Sequence, residues 1–472
     1  MTEPTAQQAV HGRAAGQSRD TPQKPWRAAA SLAPAGTDVA GWPSERRVAA
    51  LARLDESGLP DGADEDWRYT SLAGYGQRWS AYLAAAGLAA RPAGIDTRAD
   101  GSAFSTAGAG HPGTSGSPGT VHAQIVDGIL QAPPGAMPRG LYIGSLRQLT
   151  PELRARAADL LRKSGDVAPE TLVDLNSALL ADVILVTTET GASLEAMPLH
   201  ILIQGSGAPA FSQPRILVDV AQDSRFTLIL EHGGAAGTLC NAVTQAWVGS
   251  GAHLNLVRVQ LLPDDGMLTE TSRIELAAAA STHITSMDLG AQLSRHALTV
   301  LLAGAGASAS VDGLFLADGN RHVDNHTRLE HLAPGTTSRE SFRGLADGHG
   351  RGVFNGKIIV REGAAGSNAA LTNRNLLLAA TAEIDTKPEL EIYVDDVRCS
   401  HGATTGQLDA NALFYLRSRG LDPAAARQVL TAAFLREPLG GIAQPELRAR
   451  LEARLEEKLG GNAAIAGPGA GS

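Results

Sequence analysis

From about residue 180 onward the chain strings together short segments of β type: ADVILVTT, PLHILIQG, PRILVDV, RFTLILEH, HLNLVRVQL, HITSMDLG, ALTVLLAG, ASVDGLFLA, GKIIVREG and PELEIYVDD. Most alternate apolar and polar residues, the period of a strand with one buried face. Small-residue corners punctuate them, QDSRF near 224, GSGAHL near 252, ASTHI near 282 and AGASASV near 308. The steps are roughly 25–30 residues, a solenoid period. A unit of that length cannot bury its own inner face and must stack on its neighbours. The pattern predicts a mainly β chain with a parallel, right-handed β-helix core over 176–408. A β-sandwich is the alternative. It would need hairpin turns of the Asn-Gly kind, and the one good match, FNGK at 354–357, is isolated.

Helical segments are expected on both sides of that core. Residues 1–43 read as a disordered tail and 44–90 as an N-terminal helical segment, opening with Ser44 as N-cap and Val48, Leu51 and Ala52 on one face. YGQRWSAYLAAAGLAA is compatible with a further helix, and the Gly/Ser/Pro/Thr run at 91–120 reads as a flexible linker. An α/β connection at 121–175 holds a strand, HAQIVDGIL. It also holds a helix with Thr150 as N-cap, Pro151 at N1 and Gly165 as its stop. After the core, 409–460 reads as a C-terminal helical domain. Asp409 and Asp422 serve as N-caps, Gly420 as a C′ residue, and Leu447, Leu451 and Leu455 form an apolar stripe. Residues 461–472 read as a second disordered tail.

Composition narrows the function. A formal charge of −9 argues against nucleic acid, which needs a basic face. The first 30 residues hold no continuous apolar region of the secretory kind, and no apolar run is long enough to span a bilayer. Two cysteines, Cys240 and Cys399, make no disulfide framework in 472 residues. The expectation is a soluble, cytoplasmic protein. GHGRGVFNGK looks like a phosphate loop, but Arg351 stands where a Walker A loop needs glycine. Ile358 follows Lys357 where the loop needs a hydroxyl. The chain is therefore expected not to hydrolyse nucleotides.

Two groups of residues could bind metal. In HVDNHTRLEH, His322, Asp324 and His326 project from one face of a strand, an arrangement open to a divalent ion or to a plain solvated face. In DDVRCSHGATTGQLD, Cys399 and His401 share a face. Leu390, Ile392 and Val394 set the core phase, so that face should point away from the core unless a bulge intervenes. Cys399 also fits the role of a small buried hydrophobe. An iron–sulfur cluster usually takes four thiolates. A chain with two distant cysteines must therefore borrow ligands from another chain or hold a cluster only in passing.

HVDNHTRLEHLAPGTTSRESFRG, VFNGKIIV, EDWRYTSL and the run TNRNLLLAATAEIDTKPELEIYVDDVRCSHGATTGQLDANALFYLRSRGLD carry a resemblance. The chain resembles the SufB/SufD family of iron–sulfur cluster assembly scaffold subunits, on its SufD side. The match is dense from about 320 to 425 and diffuse from 175 to 320. The resemblance implies a non-catalytic subunit of a SufBCD complex, with a β-helix flanked by helices. It implies pairing with SufB through the last β-helix strands and docking of the ATPase SufC on the C-terminal helices. It also implies a transient cluster shared with SufB, with His401 facing a SufB cysteine and Cys399 as the second candidate. Iron or reduced flavin at the level of the complex, and a homodimer of the isolated chain, stay open. Leu371 departs from the family, which often has glutamine before TNRNLLL. Two rival functions are weighed beside it. One is a β-helix carbohydrate-active enzyme, disfavoured by 4% aromatics; the other is a metal-dependent hydrolase built on His322, Asp324 and His326.

Overall fold

The computed structural model describes residues 42, 44–60, 62, 64–72, 76–78, 119–131, 137–163, 170–206 and 211–460. The expected tails apart from Trp42, nearly all of the 91–120 linker, most of the second N-terminal helix and the Gly165 stop lie outside them. Trp42, placed in the first tail by composition, is instead buried, packed with Leu146, Leu160 and Leu217. A hairpin comes first, β1 (Val121–Val126) and β2 (Ile129–Leu130), turned by Asp127 and Gly128 at φ 50° and 81°. The sequence reading has one strand there, because a two-residue turn at positive φ leaves the apolar alternation unbroken. β3 (Leu141–Ser145) and β4 (Ile184–Thr188) pair antiparallel. β5 (Ser193–Gly205), β6 (Phe211–Ser212) and β7 (Arg215–Val220) lead into the regular coils. These are β8 (Arg225–Gly234), β9 (Leu239–Val248), β10 (His253–Gln260), β11 (Met267–Leu276), β12 (Ser281–Asp288) and β13 (Leu293–Leu302). They continue through β14 (Ser308–Ala317), β15 (His322–His331), β16 (Thr337–Ala346), β17 (Arg351–Val360), β18 (Ser367–Leu377), β19 (Glu383–Ile392) and β20 (Val397–Gly406).

From β7 onward the chain crosses between two sheets at every corner. One sheet runs β2-β1-β5-β8-β10-β12-β14-β16-β18-β20 and the other β19-β17-β15-β13-β11-β9-β7-β4-β3. Arg225, His253, Ser281, Ser308 and Thr337 stand in register on successive strands, so a turn takes about 28 residues, inside the solenoid range. The result is a parallel β-solenoid of about 8 turns with helices at both termini. FNGK makes no turn: it lies inside β17, where Gly356 leaves room for Leu371 and Phe354. Gly313 does the same for Phe342, since a Cβ there would collide with its ring. Bulky residues on one rung and glycine on its neighbour thus fill the lumen at interior density.

β9, β11, β16 and β18 carry too many polar residues to read as strands by alternation. Their polarity is used inside the protein. Arg258, 1% exposed, donates to Glu270 at 2.7 Å and Asp288 at 2.9 Å between the two sheets. His296 reaches Ser272 at 3.1 Å, and Ser294 donates to Asp288 at 2.7 Å. Buried charges survive when paired in this way.

Helices flank the coils on both sides. α1 (Ser44–Ser57), α2 (Pro151–Lys163) and α3 (Thr171–Leu179) precede them; α4 (Ala410–Ser418), α5 (Pro423–Arg436) and α6 (Pro445–Lys458) follow. Ser44 is the first helical residue of α1 rather than a cap outside it, and the buried face is Ala50 and Leu54, with Val48 65% exposed. The face turned because α1 packs on α3, through Leu172, Leu175 and Ala178. Thr150 caps α2 as expected, accepting from the Leu153 N–H at 3.4 Å. Asp409 and Asp422 cap α4 and α5 through pairs of N–H groups at 2.7–3.0 Å. Leu447, Leu451 and Leu455 are buried, together with Leu435, Leu439 and Ile442, against Ile229, Val257, Met287, Leu314 and Leu345. α5 and α6 therefore cover the outer apolar face of the sheet that ends in β20. α4 buries nothing and exposes Phe414 and Tyr415.

Candidate functional site

β19 and β20 each end a sheet, so each has a neighbour on one side only. Inner strands such as β8 and β13 are nearly all buried, while β20 is exposed or half-buried along its whole length. Its free edge offers unpaired N–H and C=O groups, a template for another strand. Charges guard the outer side of β19. Lys387 pairs with Glu65 at 2.8 Å and Glu389 at 3.1 Å, and Lys357 with Glu391 at 2.6 Å.

Cys399 and His401 do share a face, but it is the inward one. They stand in register with Ala369 and Leu371, each 1% exposed in the core. Leu390 and Val394 pack on the core from even positions, Val397 and Cys399 from odd ones. The phase changes at the corner, where the Val397 N–H turns back to the Asp395 carbonyl at 3.0 Å. The expectation that both side chains leave the core is corrected by that tight turn. Cys399 is half-buried, and burial pushes its thiol up, offset in part by a hydrogen bond with the Ala369 backbone. Its thiolate would need a metal or a neighbouring positive charge. His401 follows two residues on, about 7 Å along the strand. It is exposed because β20 is the last rung. Leu371, the residue that departs from the family pattern, lies beneath it.

Beside this pair the lumen mouth is polar. Thr386 on β19 donates to Asn373 Oδ1 at 2.8 Å, and Asn375 Nδ2 donates to Asn373 Oδ1 at 2.6 Å and Thr405 at 3.4 Å. Nothing in a single sequence singles out these asparagines except their alternation in TNRN. The two thiols stay apart. Cys240 is buried on β9, in the other sheet from β20 and five strands from its β19 end.

His322, Asp324 and His326 also share a face, the outer face of β15, and there they are used up. Thr70 shares a hydrogen bond with His322 Nε2 at 2.9 Å and donates to Asp324, which also takes Arg295 and, at 3.0 Å, His326. Arg295 in turn lies 3.9 Å over the Trp67 ring. Burial alone would raise the Asp324 carboxyl, yet Arg295 and His326 hold it well below the usual carboxylate range. Among the described residues no group of three His, Cys, Asp or Glu could hold a metal ion. The hydrolase reading is thus corrected: the triad is a socket for the Trp67–Thr70 segment, with Asp324 Oδ2 already taken by Arg295 and Thr70 and Oδ1 facing His326. Sequence reasoning named all three residues and missed their partners: Arg295 lies 29 positions before Asp324 on the neighbouring strand, and Thr70 lies 254 before it.

Residues 201–434 match the family model for SUF system FeS cluster assembly, SufBD core domain. An iron–sulfur cluster assembly SufBD family protein of Synechocystis is 32% identical over 328 residues, 67% of this chain and 72% of that protein. The chain belongs to the SufBD family of iron–sulfur cluster assembly proteins. The iron–sulfur cluster assembly protein SufD of Escherichia coli is 31% identical over 311 residues, 61% of this chain and 72% of its own length. A SufBD family protein of Mycobacterium tuberculosis is 30% identical over 331 residues, 68% of this chain and 80% of that protein. The SufBD core spans β5 to α5 and so includes the open rung with Cys399 and His401. The Trp67–Thr70 segment lies outside it. No helix among the described residues is long and apolar enough to cross a membrane. Membership of this family displaces the carbohydrate-enzyme reading.

Proposed function

We propose that the chain is a SufD-type scaffold subunit that joins a SufB-type paralogue edge to edge through β19 and β20. In this reading His401 becomes one ligand of a cluster site shared across the joint, with Cys399 as the second candidate. The observation that carries it is the open last rung, whose free strand edge holds both residues in the lumen phase. A partner strand laid on β20 would continue the lumen and bring its own side chains over Leu371, beside His401. Imidazole together with a partner thiolate makes a mixed N/S set. Such a set anchors iron less firmly than four thiolates and suits cargo that must leave.

An ABC-type ATPase of the SufC kind would supply ATP hydrolysis in a cytoplasmic SufBCD complex. Its contact belongs on α4, where Phe414 is 72% and Tyr415 56% exposed; α5 and α6 already cover the solenoid. A homodimer through the same edge would be the occupant in the isolated chain, and reduced flavin would act only at the level of the complex. The test is co-purification with SufB- and SufC-type partners, followed by anaerobic reconstitution, absorbance and iron counting. His401→Ala should assemble normally and load several-fold less iron, and Cys399→Ala should lose less. Full loading of the His401→Ala complex removes His401 from the site. Loss of SufB binding only when residues outside β19 and β20 are changed removes the edge.

A further inference from the structure

On the outer face of the sheet that contains β7, away from the open rung, a guanidinium is buried without an anion paired to it among the described residues. Arg215 opens β7 and is 2% exposed. Its Nη1 donates only to neutral acceptors, Asn176 Oδ1 at 3.3 Å and Ser177 Oγ at 3.4 Å, and its Nε has no acceptor. The carboxylate whose charge reaches it, Asp174, is already gripped by Arg53 through Nε at 2.9 Å and Nη2 at 2.6 Å. Burial, with the charge of Arg46 adding to it, pushes Arg215 down to about 9. An arginine keeps its proton in proteins, so it cannot escape this cost by neutralising itself.

Trp42 links the positive groups. The Arg215 guanidinium carbon lies 5.3 Å from the centroid of its ring and that of Arg46 5.8 Å from the same centroid. The indole Nε1 is buried and has no acceptor either. Arg46 is half-buried in the first turn of α1 and makes no ion pair among the described residues. Arg162, itself paired with Asp159 at 3.1 Å, adds further positive charge beside Arg46. Cation–π contact satisfies ring faces but gives the N–H groups no acceptor.

We propose that Trp42, Arg46 and Arg215 form a binding site for a small tetrahedral oxyanion of the phosphate or sulfate type. Among the described residues the Arg215 Nε–H and the indole N–H have no acceptor, and the half-buried guanidinium fork of Arg46, which makes no ion pair there, stands at the same ring. An ion with three or four oxygens can accept from all three groups, whereas a carboxylate presents two oxygens in one plane. The site lies on a different part of the fold from Cys399 and His401, so it does not depend on the cluster reading.

The test uses the full chain with inorganic phosphate as the probe, at constant ionic strength against chloride. Isothermal titration and the thermal midpoint are the two readouts. Wild-type protein should bind one phosphate and gain in midpoint. Arg46→Met, a half-buried position whose loss leaves the core intact, should bind at least about tenfold more weakly, the size expected for one charge-assisted contact. Arg215→Met should fold without phosphate at least as well as wild type, since it removes an uncompensated charge, and should not respond to phosphate. Heats and midpoint that ignore phosphate in the wild type overturn the site, because the charge is then met by the ring alone or by an acidic side chain of this chain. Undiminished binding in Arg46→Met also overturns it, whether or not Arg215→Met folds.

Discussion

β15 and β20 carry similar residues at the same spacing, with opposite outcomes. His322, Asp324 and His326 alternate along the outer face of β15, and Thr70, Arg295 and Trp67 close over them until Asp324 is 1% exposed. Cys399 and His401 alternate along the inner face of β20, and among the described residues no strand pairs with β20 beyond His401. Spacing along a strand makes such residues neighbours. Whether they become a buttress or a binding edge depends on what covers them. A third case lies between the two strands. Glu340 on β16 is fully buried, and among the described residues neither its carboxyl oxygens nor the side chain of Asn325, on the inner face of β15, has a hydrogen-bond partner.

Removing the buttress should have the largest effect. Asp324→Ala leaves buried Arg295 without its counter-charge and should cost about 3–5 kcal/mol in denaturant unfolding. A loss below about 1 kcal/mol would mean that the socket is decoration, and the contrast with β20 would collapse. Next comes Glu340. Burial raises its carboxyl from 4.5 to about 8, so between those values the folded chain holds a proton that the unfolded chain has released. Its contribution is complete below about pH 4.5 and is lost as pH rises through about 8, at up to about 1.4 kcal/mol per unit. Glu340→Gln, uncharged throughout, should flatten that part of the stability–pH curve; an unchanged slope would mean that Glu340 is ionised and paired.

Changes on the uncovered elements should scarcely move stability. Phe414→Ser with Tyr415→Ser should shift unfolding by no more than about 0.5 kcal/mol while abolishing capture of the SufC-type ATPase in a pull-down. Retained capture would move the contact to the covered helices α5 and α6. The smallest structural effect belongs to His401→Ala, within about 0.5 kcal/mol of wild type, with its consequence confined to iron loading. A His401→Ala chain as unstable as Asp324→Ala would show that β20 is covered after all.

The repeating corners, capped helices and Leu447–Leu451–Leu455 stripe were legible in the residues because each depends on neighbours a few positions away. The polar strands β9, β11, β16 and β18 were not. Alternation detects apolar faces, and this lumen holds paired ions such as Arg258 with Glu270. α3 escaped notice because LVDLNSAL, mixed and short, becomes a helix under the packing of α1.

At the site the division is equally plain. The sequence by itself determined that the chain must stack its coils, since no single coil can bury its inner face. It also determined that Cys399 and His401 share one side of a strand, since strands have period two. Tertiary structure alone decided which side that is, because one tight corner at Asp395 reverses the pleat phase between β19 and β20. It alone decided that Asp324 is occupied and His401 free, because Thr70 reaches Asp324 from 254 residues away while the stack ends at β20, and neither contact is written in local spacing.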